Sequence, residues 1–197
     1  MIHSAEDWCN RGGQLLETDP RLGQRFISQA LRVMPNSGVA LFNLGIGLHQ
    51  QKKIKSAIRA YRLALLQKQA PIKQIQNNLS QDLLLTGEFT QGFKLYESRF
   101  KPGQNYYFES YLGHAWPGPE RDNKLPTHLI LVAEQGLGDT IQFCRYAKML
   151  LEKKANVIFL APKSLKKILS SLDNNIKIII NLKNENYDFV CPLIDLP

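Results

Sequence analysis

Cysteine is scarce and unpaired in this sequence. Cys9, Cys144 and Cys191 are an odd number, far apart, and no two stand in a CxxC spacing. That argues against a disulfide framework and against a thiolate zinc site, so no metal is expected and the reducing cytoplasm is the expected compartment. Long apolar runs are missing too: none approaches the roughly 18 residues that a membrane-spanning helix needs. The first seven residues, Met1 to Asp7, hold neither a basic nor an apolar stretch, so no secretory leader is expected. Acidic residues are short in one half only. Residues 1–101 carry 14 Lys/Arg against 7 Asp/Glu, a net +7, and residues 102–197 carry 11 against 10, a net +1. A basic half attracts nucleic acid, anionic membrane or an acidic protein. Its cations are scattered and lack interleaved aromatics, which fits a solvated helical surface better, and nucleic acid is not an expected partner.

Two phosphate-binding signatures are also missing. A dinucleotide fingerprint needs GxGxxG after the first strand; Gly136 and Gly138 are present, but Ile141 holds the third glycine position. No acidic residue ends the second strand, where Ala161-Pro162-Lys163 stands, and there is no Walker A loop. Neither NAD binding nor nucleoside triphosphate hydrolysis is indicated, and no cofactor is expected.

What is present begins with a period. Ile27, Ala30 and Leu31 return as Tyr61, Ala64 and Leu65 at an offset of 34, and Ala57, Tyr61 and Ala64 return as Gly92, Tyr96 and Arg99 at 35. Leu44 and Leu48 return as Leu79 and Leu83. A period near 34 is that of the tetratricopeptide repeat, a helix–turn–helix unit. Leu41, Leu44, Gly45 and Leu48 share one face of a first helix; Ala57, Tyr61 and Ala64 share one face of a second. Small residues against a large ring let two antiparallel helices interlock. Three repeats are expected, near 4–35, 38–71 and 74–101. Such an array binds a peptide or protein in its groove, or it packs on the next domain.

Residues 102–127 form a connector in which Pro102, Pro117, Pro119 and Pro126 forbid a long helix. Tyr106, Tyr107, Phe108, Tyr111 and Trp116 are too aromatic for a floppy linker, so an ordered segment is expected. Trp116 and His114 have two readings, core packing and the lining of a cleft, and packing is the better supported.

From His128 to Ala133 runs an apolar, branched stretch suited to a strand buried on both faces. A glycine turn and a helical pattern follow, then strands at Asn156–Ala161, Ile176–Ile180 and Tyr187–Cys191, with a helix from Pro162 to Leu172. Strand, turn and helix in alternation predict a parallel sheet in the order 3-2-1-4. The fold class is therefore α + α/β: helical repeats over 1–101, the connector, and a partial Rossmann-like domain over 128–197. The turn Glu134 to Asp139 falls at the carboxyl end of the first strand, where open α/β sheets bind ligands. Gly136 and Gly138 there permit positive φ and close backbone approach. Asp139 has two readings. With Gln142 three residues on, it makes an N-cap pattern; at the mouth of the sheet, it makes a general base.

The stretch Glu134-Gln-Gly-Leu-Gly-Asp-Thr-Ile-Gln-Phe-Cys-Arg-Tyr146 resembles the signature of bacterial tetratricopeptide proteins fused to a glycosyltransferase-like domain. That domain is similar to the heptosyltransferases and, more distantly, to the O-linked N-acetylglucosamine transferases, of the two-domain GT-B type. Gly87 to Phe100, Trp116-Pro-Gly118 and Asp188 to Pro197 fit the resemblance in order, which covers roughly residues 38–197. It implies Asp139 as the candidate catalytic base, after Gly138. It also implies Glu134, Gln135, Gly136, Gly138, Thr140 and Gln142 as candidate ligand-binding residues. Such enzymes carry a second Rossmann-like domain that makes most of the sugar-nucleotide contacts, and residues 128–197 hold none. The resemblance thus implies a truncated, acceptor-side part of a transferase, inactive alone or completed by a second chain. Its partners would be a sugar acceptor and that chain. The competing expectation is a non-enzymatic scaffold that holds a protein or peptide in the repeat groove.

Overall fold

The computed structural model describes residues 4–99, 115–116, 118, 125–173, 176–182 and 185–196. The chain divides into two compact units, Met1–Lys101 and Pro102–Pro197.

The first unit is three helical pairs. They are α1 (Ala5–Leu15) with α2 (Pro20–Val33), α3 (Gly38–Gln50) with α4 (Ile54–Leu65), and α5 (Ile72–Leu85) with α6 (Phe89–Tyr96). Side chains start the early helices. The Ser4 hydroxyl accepts from the Asp7 N–H at 3.0 Å, and the Asp7 carboxylate accepts from the Ser4 N–H at 2.9 Å. Asp19 and Ser37 cap α2 and α3 in the same sense. Glycines then set the pairing distance. A Cβ on Gly12 would lie 2.7 Å from Ile27 Cγ1, and one on Gly92 would lie 2.8 Å from Leu84 Cδ2. Gly45 faces the Tyr61 ring so closely that a Cβ there would overlap Cε1. In the third pair, the position of Gly45 falls on Ser80, fully buried, whose hydroxyl donates to the Asn77 carbonyl at 2.6 Å. The core of this unit gathers Leu41, Ala57, Tyr61, Ile75, Leu79 and Leu83.

The second unit holds a four-stranded parallel sheet, β1 (His128–Val132), β2 (Asn156–Leu160), β3 (Lys177–Ile179) and β4 (Phe189–Pro192). Its order is β3-β2-β1-β4, as the alternation of strand and helix predicts. In register, Leu129 stands between Val157 and Phe189. Alternate residues feed two clusters. Leu129, Leu131, Val157, Phe159 and Cys191 join Ala147, Leu165 and Leu169 in one, and Ile130, Val132, Ile158, Leu160 and Val190 form the other. Both faces of the central strands are thus apolar, which explains the unbroken apolar run.

Local details depart from the sequence reading. The first crossover is two short helices, α7 (Leu137–Phe143) and α8 (Arg145–Glu152), that meet at Cys144. The second does not run from Pro162 to Leu172. Pro162 takes an extended backbone (φ −57°, ψ 142°), a 3-10 turn occupies Lys163–Leu165, and α9 covers Lys166–Ser170 only. The fourth strand starts two residues later than expected. Asp188 instead uses its N–H and carboxylate on the backbone of His128, at 3.0 and 2.9 Å. Of the connector aromatics, Tyr106, Tyr107, Phe108 and Tyr111 lie outside the described residues, as do His114, Pro102, Pro117 and Pro119. Trp116 packs against the sheet core, and its backbone N–H donates to the Val190 carbonyl at 2.9 Å, beside a parallel bridge from Ala115.

Candidate functional site

The residues singled out by sequence surround the end of β1. Gln135 carries the left-handed backbone that the turn requires, at φ 61°. Gly136 and Gly138, whose lack of a side chain permits positive φ, do not adopt it. Gly136 is extended instead (φ −82°, ψ 166°), and Gly138 lies inside α7. A Cβ on Gly138 would meet nothing within 4 Å, and one on Gly136 only Asp139 Oδ2, at 3.4 Å. The described protein has no steric use for either glycine.

The N-cap reading of Asp139 is also corrected. The helix starts at Leu137, with Gly136 as its cap residue and Asp139 in the third helical position. Asp139 Oδ2 reaches back to accept from the Gly136 N–H at 3.1 Å. A glycine has no side chain with which to cap, so the carboxylate within the first turn holds the free donor instead. Gln142 therefore completes no capping box. It lies one turn further along α7, on the side of Asp139, and is exposed. No other contact to the Asp139 carboxylate occurs among the described residues, so Oδ1 is open.

Thr140 is 2 % exposed, and its hydroxyl donates to the Gly136 carbonyl at 3.3 Å. It lies beneath the turn. Glu134 is half-buried, while Gln135, Gly136 and Gly138 are exposed. The structure therefore brings backbone atoms of Gln135, Gly136 and Gly138 and the carboxylate of Asp139 to one exposed edge of the sheet. Asp139→Ala should cost up to about 1 kcal/mol in a urea melt by releasing the Gly136 N–H, and Asp139→Asn clearly less, because the amide oxygen still accepts.

Sequence reasoning missed a polar group inside the helical unit. Asp82 is fully buried, and His49 Nδ1 lies 2.6 Å from its Oδ1. The other oxygen, Oδ2, is buried with no partner. Burial raises the Asp82 pKa, and the hydrogen bond and charge of His49 pull it partly back. Burial likewise raises the Tyr61 pKa, against a hydrogen bond with Asn78. The only signal in the sequence was an acid between the apolar positions Leu79 and Leu83. A cavity of about 460 Å³ opens nearby, lined by Phe42, Lys73, Gln74, Asn77, Asn78 and Ser98 among others. Among the described residues, no three His, Cys, Asp or Glu are grouped to hold a metal, and no helix is long and apolar enough to cross a membrane.

No family model matches the sequence, and no curated protein matches it. Among solved structures the chain is similar to a mutant O-GlcNAc transferase of Thermobaculum terrenum, at 13 % identity and a TM-score of 0.46. The likeness covers 89 % of this chain and 41 % of that one, so this chain spans less than half the length of the structure it matches.

Proposed function

We propose that residues 128–197 form the acceptor-side part of a glycosyltransferase-like site, with the helical pairs as its binding arm. One observation carries the reading. At the carboxyl end of β1 stand two glycines for which the described fold has no steric need, next to a carboxylate with one free oxygen. Glycines of that kind suit a ligand that lies against the backbone. In such a site the free oxygen of Asp139 accepts the proton of an acceptor hydroxyl while the hydroxyl oxygen bonds to the anomeric carbon of the sugar and the bond from that carbon to the nucleoside diphosphate breaks. The departing diphosphate needs donors that stabilise its charge. In the two-domain transferases that the motif resembles, a second domain supplies most of those donors, so the 197-residue chain alone should release no nucleoside diphosphate from common sugar nucleotides.

The test is a titration followed through backbone amides. Free N-acetylglucosamine and hydroxyl-rich peptides, added to the labelled chain, should shift the amides of residues 134–142. Gly138→Ala should separate binding from stability. It adds a methyl group in open space and removes a helical glycine, so it should stabilise by about 0.5 kcal/mol while weakening those shifts. Unchanged shifts in Gly138→Ala would remove the reading of the glycine turn as a ligand surface.

A non-enzymatic scaffold is favoured by a different observation, the cavity between Phe42 and the amides of Asn77 and Asn78. Carboxamides beside an aromatic ring suit a peptide backbone and one apolar side chain. Peptide-induced shifts confined to residues 42–99, with 134–142 silent, would favour the scaffold.

A further inference from the structure

Between Asp19 and Asp82 the chain has no acidic residue, while ten Lys and Arg fall in the same span. Folding sorts these cations into rows. On α2, Gly23, Ile27 and Ala30 are buried, and Arg21, Arg25 and Arg32 lie on the opposite side of the helix, all exposed. On α4, Ala57, Tyr61 and Ala64 are buried, and Lys55, Arg59 and Arg62 lie opposite, again exposed. The offset of 34 puts Lys55 in the place of Arg21, and Arg59 in the place of Arg25. Two successive hairpins therefore show the same basic row on the same side.

That side is the outer one. The first helices pack on one another, α1 on α3 and α3 on α5, more than the second helices do. α2 packs on α1 and α3, and α4 on α3 and α5, so their buried faces turn toward the first helices and their basic rows turn away. Among the described residues, only Arg62 of the six has a carboxylate partner, Glu88 at 3.2 Å, and that pair is itself half exposed. Beside the rows stand apolar side chains that folding leaves in water: Val33 at 62 %, Leu63 at 51 % and Leu66 at 77 % exposure.

We infer that this outward basic face docks the protein on an anionic lipid surface. Charge alone suits any polyanion, and the apolar residues decide among them. Leucine and valine gain by entering the boundary between headgroups and acyl chains, and they gain nothing from a phosphate backbone. Of the aromatic rings on α2 and α4, Tyr61 is buried and Phe26 is half-buried with the Arg11 guanidinium over it, so neither offers a free face on which a base would stack. Each cation brought to an anionic leaflet strengthens binding about fivefold, so six give up to about 10⁴-fold over a neutral surface.

The test is co-sedimentation of the full chain with vesicles. The expected result is pelleting with phosphatidylcholine vesicles containing about 30 % phosphatidylglycerol, and none with phosphatidylcholine alone, because the attraction is to surface charge. Raising the salt from about 0.05 to about 0.5 M should release the protein, as screening shortens the reach of the charges. The variant Arg21→Glu/Arg25→Glu/Lys55→Glu/Arg59→Glu should lose at least about 100-fold in affinity, given the contribution per cation. Its helical circular dichroism should be unchanged, since all four side chains are exposed. A control with equal net charge, Lys153→Glu/Lys154→Glu/Lys163→Glu/Lys166→Glu, should still bind, and Leu66→Ser should bind more weakly than the parent. An equal loss in the control would reduce the effect to net charge and overturn the proposal. Failure to pellet with anionic vesicles would also overturn it, as would tighter binding to duplex DNA or polyglutamate than to the vesicles at one salt concentration.

Discussion

Gly45→Val should unfold the helical unit, and Gly45→Ala should destabilise it by about 1–3 kcal/mol, the usual cost of forcing a methyl group into a packed core. In an open helix the alanine change would act the other way, stabilising by roughly 0.5–1 kcal/mol, because glycine is the poorer helix former. Packing reverses the sign. The Tyr61 ring, 1 % exposed, occupies the space into which the new Cβ would project, and it is held on the other side by the core of the second and third pairs. The ring belongs to the same buried cluster as Leu79 and Ile75. Urea melts of the two alanine variants provide the comparison: Gly45→Ala should melt below the parent and Gly138→Ala above it. If the contact is the cause, the deficit of Gly45→Ala should shrink in a Tyr61→Leu background, as expected for residues that touch. A neutral Gly45→Ala, or strict additivity with Tyr61→Leu, would show that the ring is free to yield.

Breaking the buried pair should have the second large effect. In His49→Ala, the fully buried Asp82 carboxylate loses the partner at 2.6 Å and retains a second oxygen that already has none. Removing one member of such a pair costs about 3–5 kcal/mol, and partial exposure of His49 places this case at the low end, about 3 kcal/mol at neutral pH. Asp82→Asn should cost less, because a neutral amide in the same space carries no charge to desolvate. The pH dependence follows from the sign of the shift. Burial raises the Asp82 pKa above 3.8, its value when free, so the folded chain prefers the protonated acid. Its contribution to stability is fully present below the unfolded pKa and is lost as pH rises through the folded one. His49 opposes that loss. Without it, the deficit of His49→Ala relative to the parent should be greatest at neutral pH and shrink as the medium is acidified toward the carboxylate range. A deficit that stays the same as the pH is lowered from neutral toward the carboxylate range would mean that His49 acts through packing and not through the carboxylate.

Both sites explain how legible this protein was. The period of 34 made the interlock of Gly45 with Tyr61 readable, since the two positions recur, as Ser80 and Tyr96 in the third pair, on helices whose faces are set by the 3.6-residue period. His49 and Asp82 follow no period. They stand 33 residues apart, and only the stacking of α3 on α5 brings them together. Nothing in the composition separates a buried acid from the exposed ones.

The sheet divides in the same way. Its order followed from the alternation of apolar strands with helical segments, because parallel strands need crossovers and crossovers have one preferred hand. Where α7 begins did not follow. In the sequence Asp139 reads as a cap or a general base; that it lies in the first turn, after the cap, depends on the backbone angles of Gln135 and Gly136, which the tertiary structure sets as β1 leaves the sheet. The basic rows of α2 and α4 are the third case. In the sequence they look like scattered charge, and a linear count cannot tell a row from a scatter.

By itself, then, the sequence determined the helical pairs, the parallel sheet and its order, and the glycine turn at the end of the first strand. All of these are written in the local spacing of apolar residues, glycine and proline. Only the tertiary structure decided which glycines touch a neighbour, which acid is buried, where the first crossover helix starts, and that Arg21, Arg25, Lys55 and Arg59 share one face. Each of these depends on contacts between distant residues or on backbone angles at a junction, and packing sets both after the local elements have formed.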